Sequence, residues 1–176
     1  MVRRSRATLV RVLTEDGVEG WSAGQAMSRE REGLGSVLGP YLLGQDAVDI
    51  DAIQQRLREL SYTRRGCSRA ASRRPRGLIR RIRQAGLRYT PHTWTNGVGF
   101  VVNLHLMAAS GFAEEELLEY PIDLPGFTPE ARDAVLTEPF LHDRGRIDVP
   151  DRPGLGIEIA PEVLAAHATR FFVVER

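Results

Sequence analysis

Residues 89–110 read Tyr-Thr-Pro-His-Thr-Trp-Thr-Asn-Gly-Val-Gly-Phe-Val-Val-Asn-Leu-His-Leu-Met-Ala-Ala-Ser, and this stretch decides how the rest of the chain is understood. Thr90 precedes a proline, whose ring pushes the preceding residue out of the α region, so the run opens extended. His92 and Trp94 follow, then Asn96-Gly97, a turn or helix-start signal. From Val98 onward, Val101, Val102, Leu104 and Met107-Ala108 give a broad apolar stripe suited to a buried helix. A titratable residue at a strand end, just before a helix, is where parallel α/β proteins keep their chemistry, and His92 stands at such a point.

The composition bounds the rest. The 176 residues are 42% hydrophobic and 27% charged with a net charge of +1, the profile of a soluble globular protein of one domain or two small ones. No apolar run approaches the ~20 residues needed to span a bilayer, and no signal-peptide pattern opens the chain. Cys67 is the single cysteine, so no intrachain disulfide forms, which suits a cytoplasmic location. All 24 basic residues are arginine. Arginine stays protonated at ordinary pH, so lysine-type base and Schiff-base chemistry are excluded for this polypeptide alone.

Pro91-His92-Thr-Trp94 with its glycine-containing helix start resembles the seventh-strand region of enolase-superfamily proteins of the mandelate racemase/muconate lactonizing type. Leu118-Glu119-Tyr120-Pro121 and Val149-Pro-Asp-Arg-Pro-Gly-Leu-Gly-Ile-Glu158 follow in that family's order. Each block alone is a weak motif; three in order carry the resemblance. It implies an α+β fold: an enolase-like N-terminal capping domain joined to the seventh and eighth βα units of a TIM barrel. Barrel strands one to six have no counterpart, so the barrel is expected to be incomplete and the chain truncated.

Read in order, residues 7–14 form a strand, Glu15-Asp16-Gly17 a hairpin turn and Val18–Ala23 the return strand. Ser28 caps a helix expected to run through Leu38, where Gly39-Pro40 breaks it. Asp49 or Asp51 starts an amphipathic helix with Ile53, Leu57 and Leu60 on one face. These elements make residues 1–62 the capping domain. Residues 63–76 carry six arginines and no apolar periodicity, and read as a disordered junction. Residues 77–145 read as the barrel remnant, with a helix over Leu78–Gly86 and a short one over Pro129–Leu136. In the tail, 146–176, Arg146–Val149 is a short strand, Pro161–His167 a helix with proline in its first turn, and Phe171–Val174 a final strand. By resemblance this tail returns to the capping domain.

The resemblance also implies chemistry: Mg²⁺-assisted abstraction of the proton α to a carboxylate, leading to dehydration or racemisation of hydroxy acids, commonly acid sugars. Developing charge on the carboxylate oxygens requires a cation, and hard oxygen ligands suit magnesium. His92 matches the family's histidine base, and Glu119 the position from which a protonated carboxyl hydrogen-bonds the substrate carboxylate. The aspartate that supports the histidine, the metal ligands and the lysine-bearing second strand have no counterparts. The chain alone is therefore expected to hold no metal and to be inactive, with His92 and Glu119 idle. His105 reads as a core or helix-edge residue, and Glu114–Glu116 as a helix start or solvated face.

A different class of function rests on the arginines at 64, 65, 69, 73, 74, 76, 80, 81, 83 and 88. Such a run could grip nucleic acid or a protein partner by salt-sensitive contacts. It lacks interleaved aromatics and any known reading motif, so a solvated junction is the favoured reading. Unpaired barrel edges point to association into a homo-oligomer.

Overall fold

The computed structural model describes residues 7–25, 34–63, 75–111, 116–122 and 127–168. The arginines between 64 and 74, Glu114, Glu115 and the expected strand at 171–174 lie outside these residues. The chain divides into two compact units, one of residues 1–26 with 76–168, the other of residues 27–75 with 169–176.

The first unit begins with an antiparallel hairpin, β1 (Ala7–Leu13) and β2 (Glu19–Gln25), in a register from Ala7 opposite Gln25 to Leu13 opposite Glu19. Its turn is held by Thr14, which exchanges backbone bonds with Val18 and Gly17 while its hydroxyl accepts the Val18 N–H at 2.9 Å. Gly17 adopts φ +85°, a conformation other residues enter at a steric cost, which explains a glycine there. On one face of the hairpin Glu19 receives Arg11 at 2.6 Å and the Trp21 indole N–H. β1 and β2 form the only sheet among the described residues.

The second unit contributes α1 (Leu34–Leu42) and α2 (Ile50–Thr63). Gly39-Pro40 does not break α1, contrary to the expectation from sequence. Pro40 lies so near the helix end that it forfeits a single ladder bond, and Leu43 N–H still closes the last turn on Gly39 O at 3.1 Å. Asp49 caps α2 as expected, its carboxylate accepting the Ala52 N–H at 3.0 Å.

In the first unit, α3 (Pro75–Gln84) ends on Gly86 at φ +63°. Leu87 N–H reaches back to Ile82 O and Gly86 N–H to Arg83 O, the paired bonds that commonly close a helix on a left-handed glycine. The chain then runs extended through Pro91 to Asn96, whose side chain accepts the Gly99 N–H at 3.1 Å and opens α4 (Gly97–Ser110). Gly111 at φ +73° ends it, and Arg83 crosses over to donate to Ser110 O at 2.6 Å.

The buried face of α4 is Gly97, Val98, Phe100, Val101, Leu104 and Met107, spaced at three and four residues. Val102 and Ala108, which the sequence pattern places in the stripe, point outward instead. A rotation of 100° per residue carries Val102 away from the face that Val101 occupies. Ile79 of α3 packs on Met107, flanked by Ile82, Tyr89, Leu106 and Leu118.

Two short elements also differ from expectation. The helix α5 covers only Pro129–Arg132, because the next residues leave it to pair: Ala160 N–H bonds Val135 O at 2.9 Å and Thr137 N–H bonds Glu158 O at 3.0 Å. Arg146–Val149 is not a strand. Asp143 and Arg146 exchange both backbone bonds across the tight Arg144-Gly145 turn, and among the described residues no neighbour runs beside the following ones to complete a ladder. α6 (Pro161–His167) stands where the proline predicted it.

Candidate active site

Pro91 enforces an extended run, and an extended chain turns alternate side chains to opposite sides. His92 is exposed, Thr93 is fully buried and Trp94 is half-exposed, stacked on Phe127 with ring centroids 5.5 Å apart. Thr93 is the anchor. Its N–H donates to Glu119 Oε2 at 2.9 Å, and its hydroxyl donates to the Glu119 backbone carbonyl at 2.8 Å. The same carboxylate oxygen lies 3.2 Å from His92 Nδ1. Thus the two residues singled out from sequence, far apart along the chain, converge on one point. The segments carrying them are held together by these side-chain bonds rather than by a strand ladder.

Behind Glu119 stands a rigid polar core that sequence reasoning missed. The buried Arg132 guanidinium lies 4.0 Å from the Phe100 ring centroid and 4.7 Å from that of Tyr120. It grips Asp133 through Nε and Nη2, each at 2.7 Å, and Nη2 also donates to Phe140 O at 2.8 Å. Phe140 N–H returns a bond to Asp133 at 2.7 Å, and the Tyr120 hydroxyl donates to Phe140 O at 2.9 Å. Tyr120 follows Glu119 directly, so this network fixes the backbone from which the carboxylate projects. Among the buried side-chain polar atoms of the described residues, only Arg132 Nη1 lacks a partner. In sequence, Glu130-Ala-Arg-Asp133 reads as an ordinary polar helix surface; a buried ion pair between consecutive residues carries no periodic signal.

Gly97 shows how tightly α4 sits on this network. A Cβ there would lie 2.6 Å from Asp133 Oδ1 and 2.7 Å from a Leu136 methyl. His105, at the helix edge as expected, faces Leu155 O through Nε2 at 3.0 Å. Glu116 departs from expectation. Its side chain is almost wholly covered and takes the Arg88 guanidinium at 2.9 Å, rather than forming a solvated face. That bond holds the Arg88 pKa above its ordinary value. Arg83 and Arg88 thus each bond a group of the fold while staying exposed to solvent.

Magnesium requires several oxygen donors around one point. Among the described residues no group of three His, Cys, Asp or Glu side chains could hold a metal ion. A groove of about 390 Å³ is bordered by Leu136, Phe140, Asp148, Arg152 and Glu158, without His92 or Glu119 among its walls. No helix among the described residues is long and apolar enough to cross a membrane.

The sequence pattern of the enolase C-terminal domain-like family matches residues 75–163, which include the extended run, α4 and the Arg132 network. The chain belongs to this family. It is also similar to the D-galactarolactone cycloisomerase of Agrobacterium fabrum, 36% identical over 85 residues, which are 45% of this chain and 21% of that protein. The chain thus spans about a fifth of that relative's length. No solved structure matches.

Proposed function

We propose that residues 75–163 are the closing portion of an active site acting on a hydroxylated carboxylic acid of the acid-sugar class. In this reading His92 takes the proton α to the carboxylate, and the product follows by dehydration, isomerisation or racemisation. One observation carries it: His92 and Glu119 converge at 3.2 Å on an exposed edge, with Thr93 buried between them as an anchor. An exposed imidazole is accessible to substrate. Family membership and the similarity to a cycloisomerase named for a sugar-acid lactone favour the same chemistry. A proton α to a carboxylate is weakly acidic, and among the described residues no group of three His, Cys, Asp or Glu side chains could hold the cation that would stabilise the developing charge. On this reading the 176-residue chain by itself should be inactive.

Two proteins test the reading. The isolated chain should not turn over galactarolactone with Mg²⁺ present, and turnover abolished by His92→Ala would show that the site is complete without further protein. A chimera carrying residues 75–163 in place of the matched part of the Agrobacterium cycloisomerase should be active. His92→Ala should then lower its kcat by about 10²–10⁴, the usual weight of a general base. A folded, active chimera indifferent to His92→Ala would overturn the assignment.

A further inference from the structure

The resemblance casts Glu119 as a donor to substrate, yet the geometry supports a different role. We propose that Glu119 is a positioning residue that fixes the tautomer of His92, which rests on the reading of His92 as the base. A neutral imidazole carries one proton, and the ring nitrogen that holds it is set by the partner of that nitrogen. Glu119 Oε2 lies 3.2 Å from His92 Nδ1. Oε2 already accepts the Thr93 N–H, so it meets Nδ1 as an acceptor; that places the proton on Nδ1 and leaves the Nε2 lone pair to receive a substrate proton. Removing the carboxylate frees the ring to shift its proton to Nε2, the nitrogen that must stay bare for proton abstraction.

Thr93 holds Glu119 twice, once at the carboxylate and once at the backbone carbonyl. The Thr93 N–H takes the same Oε2 at 2.9 Å and the Thr93 hydroxyl takes the Glu119 carbonyl at 2.8 Å. Thr93 is fully buried, so neither bond competes with bulk water at the threonine end. Tyr120, the next residue, is pinned to Phe140 O and to the Arg132 guanidinium. Glu119 thus supplies a carboxylate support to His92 from the following segment.

Two other histidines, His105 and His142, make this inference sharp, because their partners dictate the opposite tautomer. His105 Nε2 faces Leu155 O at 3.0 Å, and a carbonyl only accepts, so that nitrogen carries the proton. His142 Nδ1 receives the Gly145 N–H at 3.4 Å, so Nδ1 is bare and Nε2 protonated. In one molecule, His92 should be the Nδ1–H form while His105 and His142 are the Nε2–H form.

The experiment is nitrogen-15 NMR of the histidine side chains of the full chain, at a pH where the imidazoles are neutral. We expect Nδ1–H to predominate at His92 and Nε2–H at His105 and His142. Glu119→Ala should invert the His92 population to mainly Nε2–H while the His105 and His142 patterns stay in place, reporting an intact fold. Glu119→Gln, which keeps an accepting oxygen, should retain most of the Nδ1–H form. If Glu119→Ala disrupts the fold, Thr93→Val supplies the second variant: it keeps the N–H bond but frees the backbone, and should shift the same ratio partway. Nε2–H predominating at His92 in the unmodified chain, or a ratio unmoved by Glu119→Ala in the folded chain, would overturn the inference. Neither result touches the proton-transfer reading, which the chimera's response to His92→Ala decides separately.

Discussion

Removing the Asp133 carboxylate should cost about as much stability as truncating a large buried apolar side chain. Asp133→Ala deletes the acceptor of three bonds, from Arg132 Nε, Arg132 Nη2 and Phe140 N–H, each at 2.7 Å. Arg132 and Asp133 side chains are both fully buried, so the guanidinium left behind has no water to turn to. It would retain the Phe100 and Tyr120 faces and the Phe140 carbonyl, which offset part of the loss. Breaking a buried pair by removing one partner costs about 3–5 kcal/mol, whereas replacing both partners by apolar groups is often nearly neutral. We therefore expect Asp133→Ala to lose about 4 kcal/mol in urea unfolding. The double variant Arg132→Met with Asp133→Leu should lose clearly less than Asp133→Ala alone, because it strands no charge. Since whole domains are stable by only ~5–15 kcal/mol, the single variant should be largely unfolded in mild denaturant. A cost below about 1 kcal/mol for Asp133→Ala, or a double variant less stable than the single, would refute this account of the network.

Other expectations can be checked by the same or simpler means. Asn96→Ala removes the side-chain cap of α4 and should cost about 1 kcal/mol, read as a shift in the urea midpoint without a change in slope. Gly97→Ala should destabilise by about 1–3 kcal/mol, since its methyl would meet Asp133 and Leu136; a stabilised protein would show that the close approach is wrong. The bonds from Trp21 and then Arg11 hold the Glu19 pKa below its ordinary value. A depressed folded-state pKa gives stability present above the unfolded value and lost as pH falls through the folded one. Amide protection in the hairpin should therefore decline on acidification through the lower carboxylate range, and Glu19→Gln should flatten that decline.

The amino-acid sequence by itself determined the local elements wherever one residue type has one physical use. Glu15-Asp16-Gly17 between two β-rich runs makes a hairpin, Asn96 and one of Asp49 or Asp51 begin helices, and Pro161 stands in a first turn. The order of the blocks around His92, Glu119 and Glu158 likewise marked the family, which the match over residues 75–163 shows. Where the outcome depended on a neighbour distant in the chain, or on the exact place in an element, local pattern failed. Pro40 reads as a break, yet it sits too close to the helix end to prevent the last turn. Arg146–Val149 has the composition of a strand, but among the described residues no chain lies beside it to bond. Glu116 reads as a helix start or a solvated face, yet its side chain is nearly buried and pairs with Arg88. Most of all, nothing in the run Glu130-Ala-Arg-Asp133 announces burial. Two adjacent charges enter the interior only because Phe100, Tyr120 and Phe140, drawn from three other segments, supply faces and backbone groups to receive them. The candidate site divides in the same way: sequence named His92 and Glu119, but only the tertiary structure brought the carboxylate to Nδ1. That meeting is made by a buried threonine hydroxyl and N–H, whose partners no spacing rule could have specified.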